Sequence, residues 1–203
     1  MSKLFYFLTT FVDSGLSVFG VRAPYAQPKY EVVQSISPAV EIRAYAPRTV
    51  VETDIAGGDQ GQAFGRLFRY ITGANAGGHT VAMTVPVEQS RLIAMTVPVE
   101  TGAMKTGAAQ VMRFYLPPDV TKDGAPAPTE KGVRIAALPA VTMGVIRYSG
   151  TATDESRAAQ AARLRAALGG AKRAWVGEPV FFAYDPPFAI PYLRRNEVAL
   201  ELK

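Results

Sequence analysis

The chain has 203 residues, 48% hydrophobic and 19% charged, with a formal net charge of +5, no cysteine and one histidine, His79. Those values describe a globular chain long enough for one well-buried core, and they exclude disulfides, thiolate metal sites, thiol catalysis and a multi-histidine zinc centre. The basic residues are scattered, which argues against nucleic acid as a partner and suits an anionic small ligand or an anionic membrane surface.

Residues 1–23 are apolar, with Lys3, Asp13 and Arg22 as their only charges. Asp13 interrupts the run, a single lysine stands for the basic region, and no small-x-small cleavage site follows, so secretion by signal peptide is disfavoured. The run is also short for a membrane span. As a helix it places Phe5, Leu8, Val12, Leu16 and Phe19 on one face and Thr10, Asp13, Ser14 and Ser17 on the other. This amphipathic helix is expected to dock on the chain's own body or on a membrane surface. With the proline-containing linker after it, it makes up residues 1–28, ahead of a folded domain at 29–203. A cytoplasmic or membrane-associated protein is expected.

Tyr30–Val33, Val40–Tyr45 and Thr49–Thr53 read as strands, with Ser37-Pro38 as a turn. Asp59 with Gln62 three residues on resembles a capping box opening a helix. Phe64, Leu67, Phe68 and Ile71 follow at core spacing, with Arg66 and Arg69 off that stripe and Gly73 as the expected left-handed stop. His79 lies in the glycine-rich loop beyond.

Ala82-Met83-Thr84-Val85-Pro86-Val87-Glu88 then recurs unchanged as Ala94–Glu100, at an offset of twelve residues. The even period puts Met83, Val85 and Val87 on the same strand face as Met95, Val97 and Val99. Each proline lacks a ladder donor, so each copy is expected at a sheet edge or a bulge. The simplest geometry is a hairpin turning through Gln89-Ser90-Arg91-Leu92 with Val85 opposite Val97.

Met112–Leu116 is a further strand, followed by a polar loop from Pro117 to Pro128. Val133–Ala136 and Val141–Tyr148 are strands. Thr153 caps a helix that turns Ala161, Leu164 and Leu168 inward and ends at Gly169-Gly170. Pro179–Tyr184 and Glu197–Leu202 complete the chain as strands. Strand–strand–helix–strand–strand, read twice, gives an α+β fold of two similar halves.

Several motifs in order resemble the SOUL haem-binding protein family over residues 30–202. They are Tyr30-Glu31-Val32; Glu41-Ile42-Arg43-x-Tyr45; Phe64-x-x-Leu67-x-x-Tyr70-Ile71-x-Gly73-x-Asn75; Met83-Thr84-x-Pro86-Val87; and Tyr184-Asp185-Pro186-Pro187 with Arg195-Asn196-Glu197-Val198. The doubled Met-Thr-x-Pro-Val segment resembles a variant of the bacterial members. The resemblance implies a twisted β-barrel of two pseudo-symmetric halves flanked by two α-helices, to which the N-terminal helix is an addition. It also implies a monomer that binds haem or metal-free porphyrin in a shallow apolar groove. Related effector-binding domains share the fold and take other small molecules, so fold alone leaves the ligand open.

The family groove lies between the first helix of the domain and the loop before the last strand. By resemblance it is lined here by Arg66, Leu67, Phe68, Arg69, Phe188, Ile190, Tyr192 and Arg194. A haem needs an apolar slot, cations for its propionates and, in some proteins, an axial ligand. The arginines suit the propionates through their planar fork, or form an ordinary solvated face. Phe68 belongs either to the groove or to the core stripe. Arg195 and Asn196 serve either the ligand or a buried structural pairing. His79 is the candidate metal ligand, or a solvated loop histidine. Some family members carry histidine between the Arg and Tyr of the early strand motif, where this chain has Ala44. Met83, Met95, Tyr70 and Tyr192 are further ring or iron contacts to test. The expected function is non-enzymatic carriage or buffering of a tetrapyrrole. The alternative is an enzyme or effector-binding protein on the same fold, for which Glu88, Glu100, Asp185 and Glu197 offer carboxylates without catalytic spacing.

Overall fold

The central strands are buried on both faces, with residues 50–53 and 196–200 buried without a break, so the sheet is covered on either side. The structure is a computed structural model that describes residues 25–91, 110–120, 124–186 and 188–203. The expected N-terminal helix, the second copy of the repeat and the Val85–Val97 pairing lie outside the described residues. The described strands are β1 (Tyr30–Ser37), β2 (Val40–Tyr45), β3 (Arg48–Asp54), β4 (Val87–Arg91), β5 (Gln110–Tyr115), β6 (Val133–Leu138), β7 (Val141–Tyr148), β8 (Trp175–Ala183) and β9 (Asn196–Leu202). Two helices accompany them, α1 (Gln60–Ile71) and α2 (Asp154–Gly170).

The strands form one antiparallel sheet in the order β1-β2-β7-β9-β8-β4-β5-β3-β6. The α+β class expected from the sequence is therefore found. The hydrogen-bonded sheet is open, ending at β1 and β6, so strand pairing does not close the expected barrel. The pairings repeat within the chain. β3 pairs with β5 and β6, and β5 with β4; β7 pairs with β9 and β2, and β9 with β8. Short β4·β8 pairing joins the two sets through Val87↔Ala183, Glu88↔Phe182 and Gln89↔Phe181.

Both helices cover the same face. α1 lays Ala63, Leu67, Tyr70 and Ile71 on Val51, Met112 and Phe114. α2 lays Ala161, Leu164 and Leu168 on Val40, Ile146, Val198 and Leu200. Leu67, Leu164 and Leu168 are fully buried, and each such side chain contributes roughly 1.5–3 kcal/mol. α2 approaches closest at Gly144, where an added Cβ would stand 2.7 Å from Leu168 Cδ2. Only a glycine leaves room for that contact. The opposite face holds Tyr45, Val50, Tyr115, Val145, Phe182 and Ala199, interleaved with charged side chains.

Three local expectations change. The first repeat copy contributes only Val87 and Glu88 to a strand, and β4 continues through Gln89, Ser90 and Arg91, where a turn was expected. β4 is internal, with β8 and β5 on its two sides. Pro86 lies just before it, at neither an edge nor a bulge. A strand paired on both sides has no room for a residue without an N–H, so the ladder starts one residue later. The core stripe of α1 is rotated: Phe64 and Phe68 are 38% and 43% exposed, and Ala63 and Tyr70 face inward instead. Finally, α2 runs through Gly169 and Gly170 and ends at Ala171, with Lys172 taking the left-handed conformation (φ 54°). Gly170 is helical, so the stop falls to the first residues beyond it.

Candidate functional site: an aromatic helix flank and the loop before the last strand

The ends of α1 follow its sequence closely. Asp59 Oδ1 accepts from the Gln62 N–H at 2.8 Å. At the other end the Gly73 N–H donates to the Tyr70 carbonyl and the Ala74 N–H to the Arg69 carbonyl, with Gly73 at φ 120°. That is the paired capping pattern a left-handed C′ glycine produces. Fixing both ends fixes the rotation of the helix. Leu67 points into the sheet with no exposed surface. Phe64 and Phe68 stand on one flank, their rings 6.0 Å apart and stacked, and Phe64 meets Phe114 edge-on at 5.1 Å. Arg66 and Arg69 stand on the other flank. Arg66 reaches Gln62 and Arg69 grips Glu130 through two bonds of 2.7 and 3.1 Å. The Glu130 hydrogen bond raises the Arg69 guanidinium, and Arg69 in turn lowers the Glu130 carboxyl.

The loop before β9 is pinned rather than loose. The Pro191 carbonyl accepts from the Gly150 N–H at 2.9 Å, and a 3-10 turn closes over Pro191–Leu193. Arg194 Nε donates to the Ala189 carbonyl at 2.8 Å. With Ala189 buried as its anchor, the loop leaves Phe188 61%, Tyr192 73% and Leu193 38% exposed, and Ile190 half-buried. Three large apolar side chains are thus exposed within one short segment.

Register sets how the two parts relate. Ala183, from which the loop departs, pairs with Val87, and Val87 pairs with Phe114, on which Phe64 rests. The loop thus leaves the sheet two strands from the aromatic flank of α1, at the end where α1 finishes. Of the residues expected in the groove, Phe68 is on the flank nearer the loop. Leu67 lies beneath, and Arg66 and Arg69 are on the far side. Phe64, not singled out as a ligand contact, belongs with Phe68. A full helical wheel signals this, since Ala63 and Tyr70 complete an inward arc without either phenylalanine.

His79 is exposed in the loop after α1. Asn75 shapes this loop: its Oδ1 accepts from the His79 N–H, and its Nδ2 donates to the carbonyls of Tyr70 and His79. Among the described residues no three His, Asp or Glu side chains gather as a metal site.

The other family motifs converge on the second face. Buried Glu197 accepts from Arg43 at 2.9 Å, Arg195 at 2.8 Å and the Tyr184 hydroxyl at 2.8 Å. Tyr30 stacks on the Arg43 guanidinium at 4.4 Å, and Tyr184 on that of Arg195 at 4.0 Å. Arg195 is thus in a buried structural pairing, and Asn196 donates to the Gly150 carbonyl. A second cluster centres on Arg113, which bonds Glu52 and Glu88, each at 2.6 Å. Glu52 also takes Arg134 at 2.7 Å, and Glu88 accepts from the Tyr115 hydroxyl. Burial pushes Tyr45 up to about 12, and Tyr115 and Tyr184 well above the usual phenol range. Burial works to lower Arg43, but Glu197 raises it past its ordinary value. Glu88 and Glu197, considered as catalytic carboxylates, are both held in ion pairs; Glu100 lies outside the described residues. Elsewhere, α1 and α2 leave between them a cleft of about 620 Å³ with Gln60, Gln89, Arg157, Arg165 and Phe181 on its walls.

Known proteins with this architecture are diverse. The EcmrR C-terminal domain superposes with a TM-score of 0.53 at 12% identity, covering 86% of this chain and 98% of that one. A hydrolase from Listeria innocua gives 0.55 at 11% identity, over 81% of this chain and 92% of that one. At these identities the likeness is one of fold. Sequence relatives are more specific. Heme-binding protein 1 of Mus musculus is 30% identical over 140 residues, 68% of this chain and 69% of that protein. The Sus scrofa protein of the same name is 29% identical over 141 residues. The family model described as SOUL heme-binding protein matches residues 25–201, which takes in both the aromatic flank and the two ion clusters. On that match and those motifs, the chain belongs to the SOUL haem-binding family.

Proposed function

We propose that this protein binds haem or a metal-free tetrapyrrole without transforming it, as a monomeric carrier or buffer. The ring would lie in a shallow apolar groove between the Phe64–Phe68 flank of α1 and the loop carrying Phe188, Ile190 and Tyr192. The observation that carries the reading is the pair of stacked, exposed phenylalanines on α1 together with a second exposed apolar segment whose chain leaves the sheet at Ala183, two strands away. A flat ring gains from burial against both, and stacking on aromatic faces adds about 0.5–1.5 kcal/mol per contact. Arg194, on the same loop, is the nearest candidate in sequence for a propionate. Arg66 and Arg69 are the helix-borne candidates, and Arg69 would have to exchange Glu130 for the ligand. Bound haem would supply an iron centre. This chain's residues would orient the ring and exclude water from one side of it. His79, in an exposed loop, is not required for ring binding in this proposal.

Titrations of haemin and of metal-free protoporphyrin, by Soret absorbance and fluorescence quenching, test the proposal. The two should bind within about tenfold of each other, a difference of roughly 1.4 kcal/mol or less. Phe68→Asp and Tyr192→Asp should each weaken both porphyrins by tenfold or more. Arg194→Ala should weaken both alike, and more than Arg69→Ala. His79→Ala should change neither. Unaltered binding in the Phe68 and Tyr192 variants would move the site elsewhere, first to the cleft between the helices. A loss confined to haemin on His79→Ala would make iron ligation the source of affinity.

A further inference from the structure

At the end of the sheet remote from α2, the segment entering β1, the β2–β3 turn, the end of β6 and the chain after β5 enclose a pocket of about 310 Å³. Its walls are largely apolar, with Pro47, Leu116, Pro118, Val120 and Leu138 among them. Arg48 breaks that pattern. Its guanidinium carbon stands 4.9 Å from the Tyr45 ring centre and 5.8 Å from that of Tyr115. Its Nε and Nη1 are buried and have no hydrogen-bond partner among the described residues. Nη2 makes one long bond, 3.4 Å, to the Pro139 carbonyl. Arg48 as a whole is half-buried, and the contrast with the arginines of the ion clusters is sharp: Arg43, Arg113 and Arg195 each hold at least one carboxylate within 3 Å. Lys29, also lining the pocket, adds a second positive charge.

A buried cation without an anion is costly, and buried donors are nearly always satisfied. Two aromatic faces offset part of that cost but accept no hydrogen bond in the guanidinium plane. The missing acceptor therefore has to come from outside the described fold. The pocket is at the small end of ligand sites, and its apolar walls select against a bare inorganic ion.

We propose that this pocket binds a small apolar carboxylate, with the carboxylate accepting from Arg48 and the hydrocarbon or aromatic body against Leu116, Val120 and Leu138. The site is separate from the tetrapyrrole groove, and occupancy of one does not require the other. Benzoate is the probe, and benzamide its neutral partner of nearly the same shape. Titration of the full chain followed by amide NMR should shift Arg48, Leu116, Val120 and Leu138 with benzoate, at an affinity at least tenfold above that for benzamide. Arg48→Met should remove that preference and leave haemin binding unchanged. Should Arg48→Met fail to fold, wild-type melting decides. Benzoate should raise the transition temperature in a saturable way and benzamide at equal concentration should not. Equal effects of benzoate and benzamide, shifts confined to other residues, or unchanged benzoate affinity in Arg48→Met would each overturn the proposal. So would loss of haemin binding in Arg48→Met with its fold intact, since the pocket would then be part of the tetrapyrrole site.

Discussion

The two ion clusters occupy matching halves of one pairing pattern, yet their charges are inverted. Around β5 a cation is central: Arg113 holds Glu52 and Glu88. Around β9 an anion is central: Glu197 holds Arg43 and Arg195. In each a tyrosine hydroxyl completes the carboxylate, Tyr115 on Glu88 and Tyr184 on Glu197. The same backbone plan therefore accepts either arrangement, and what differs is how each half fails. A carboxylate that loses its partner can escape by taking a proton. A guanidinium cannot.

The largest expected effects follow from that asymmetry. Removing one member of a buried pair costs about 3–5 kcal/mol. Glu197→Gln leaves Arg195 without its carboxylate and Arg43 with Glu41 alone; neither guanidinium can shed its charge, so the loss relative to wild type should be constant from pH 4 to 8 in urea unfolding. Arg113→Met strips Glu88 of its guanidinium, whereas Glu52 keeps Arg134. A carboxylate left in that state can take a proton as pH falls, which removes the penalty of burying its charge. The Arg113→Met loss should therefore shrink as pH falls toward 4. Parallel pH profiles for the two variants would break the comparison.

The tyrosines sharpen it from the alkaline side. Burial pushes Tyr45 up to about 12, and Tyr115 and Tyr184 well above the usual phenol range, so the unfolded chain ionises first. Their contribution is whole below pH 10 and is lost between there and their folded values. Ultraviolet titration should show these phenols ionising only with unfolding, and early ionisation without loss of circular dichroism would contradict their burial.

Smaller effects separate the helices. Gly144→Ala forces Leu168 aside and should cost about 1–3 kcal/mol, by overpacking under α2 alone. Asp59→Ala and Thr153→Ala each delete an N-cap acceptor, for α1 and α2 respectively, and should cost about 1 kcal/mol. Arg69→Ala breaks an exposed pair with Glu130 and should leave thermal stability unchanged, whatever it does to porphyrin affinity.

The sequence was most legible where a local rule decides. Short strand-forming runs between turn residues located most strands, and Asp59, Thr153 and Gly73 marked helix ends correctly, because each acts within a few residues. It was less legible where a distant partner decides. Nothing near Pro86 says that β4 will be paired on both sides, which moves the strand beyond the proline. The four-residue spacing of Phe64 and Phe68 looks like a core stripe until Ala63 and Tyr70 are counted. Arg43 and Glu197 are 154 residues apart, and no local pattern matches one to the other. Most of the family motif proved to specify this buried scaffold. The exposed rings that make the candidate site stood partly outside it, and Arg48 carried no sequence signal at all.

The exchange of strands between the two sets has a consequence for the intact chain. β2 belongs by sequence to the first set and pairs with β7 of the second; β6 belongs to the second and pairs with β3 of the first. A cut in the connection between β5 and β6 would leave two fragments, each with a strand built into the other's sheet. Neither fragment can bury its own half alone, and the nicked protein should stay together until denatured. On remixing, the pieces should reassemble only as a pair, which makes this fold a natural candidate for split-protein complementation.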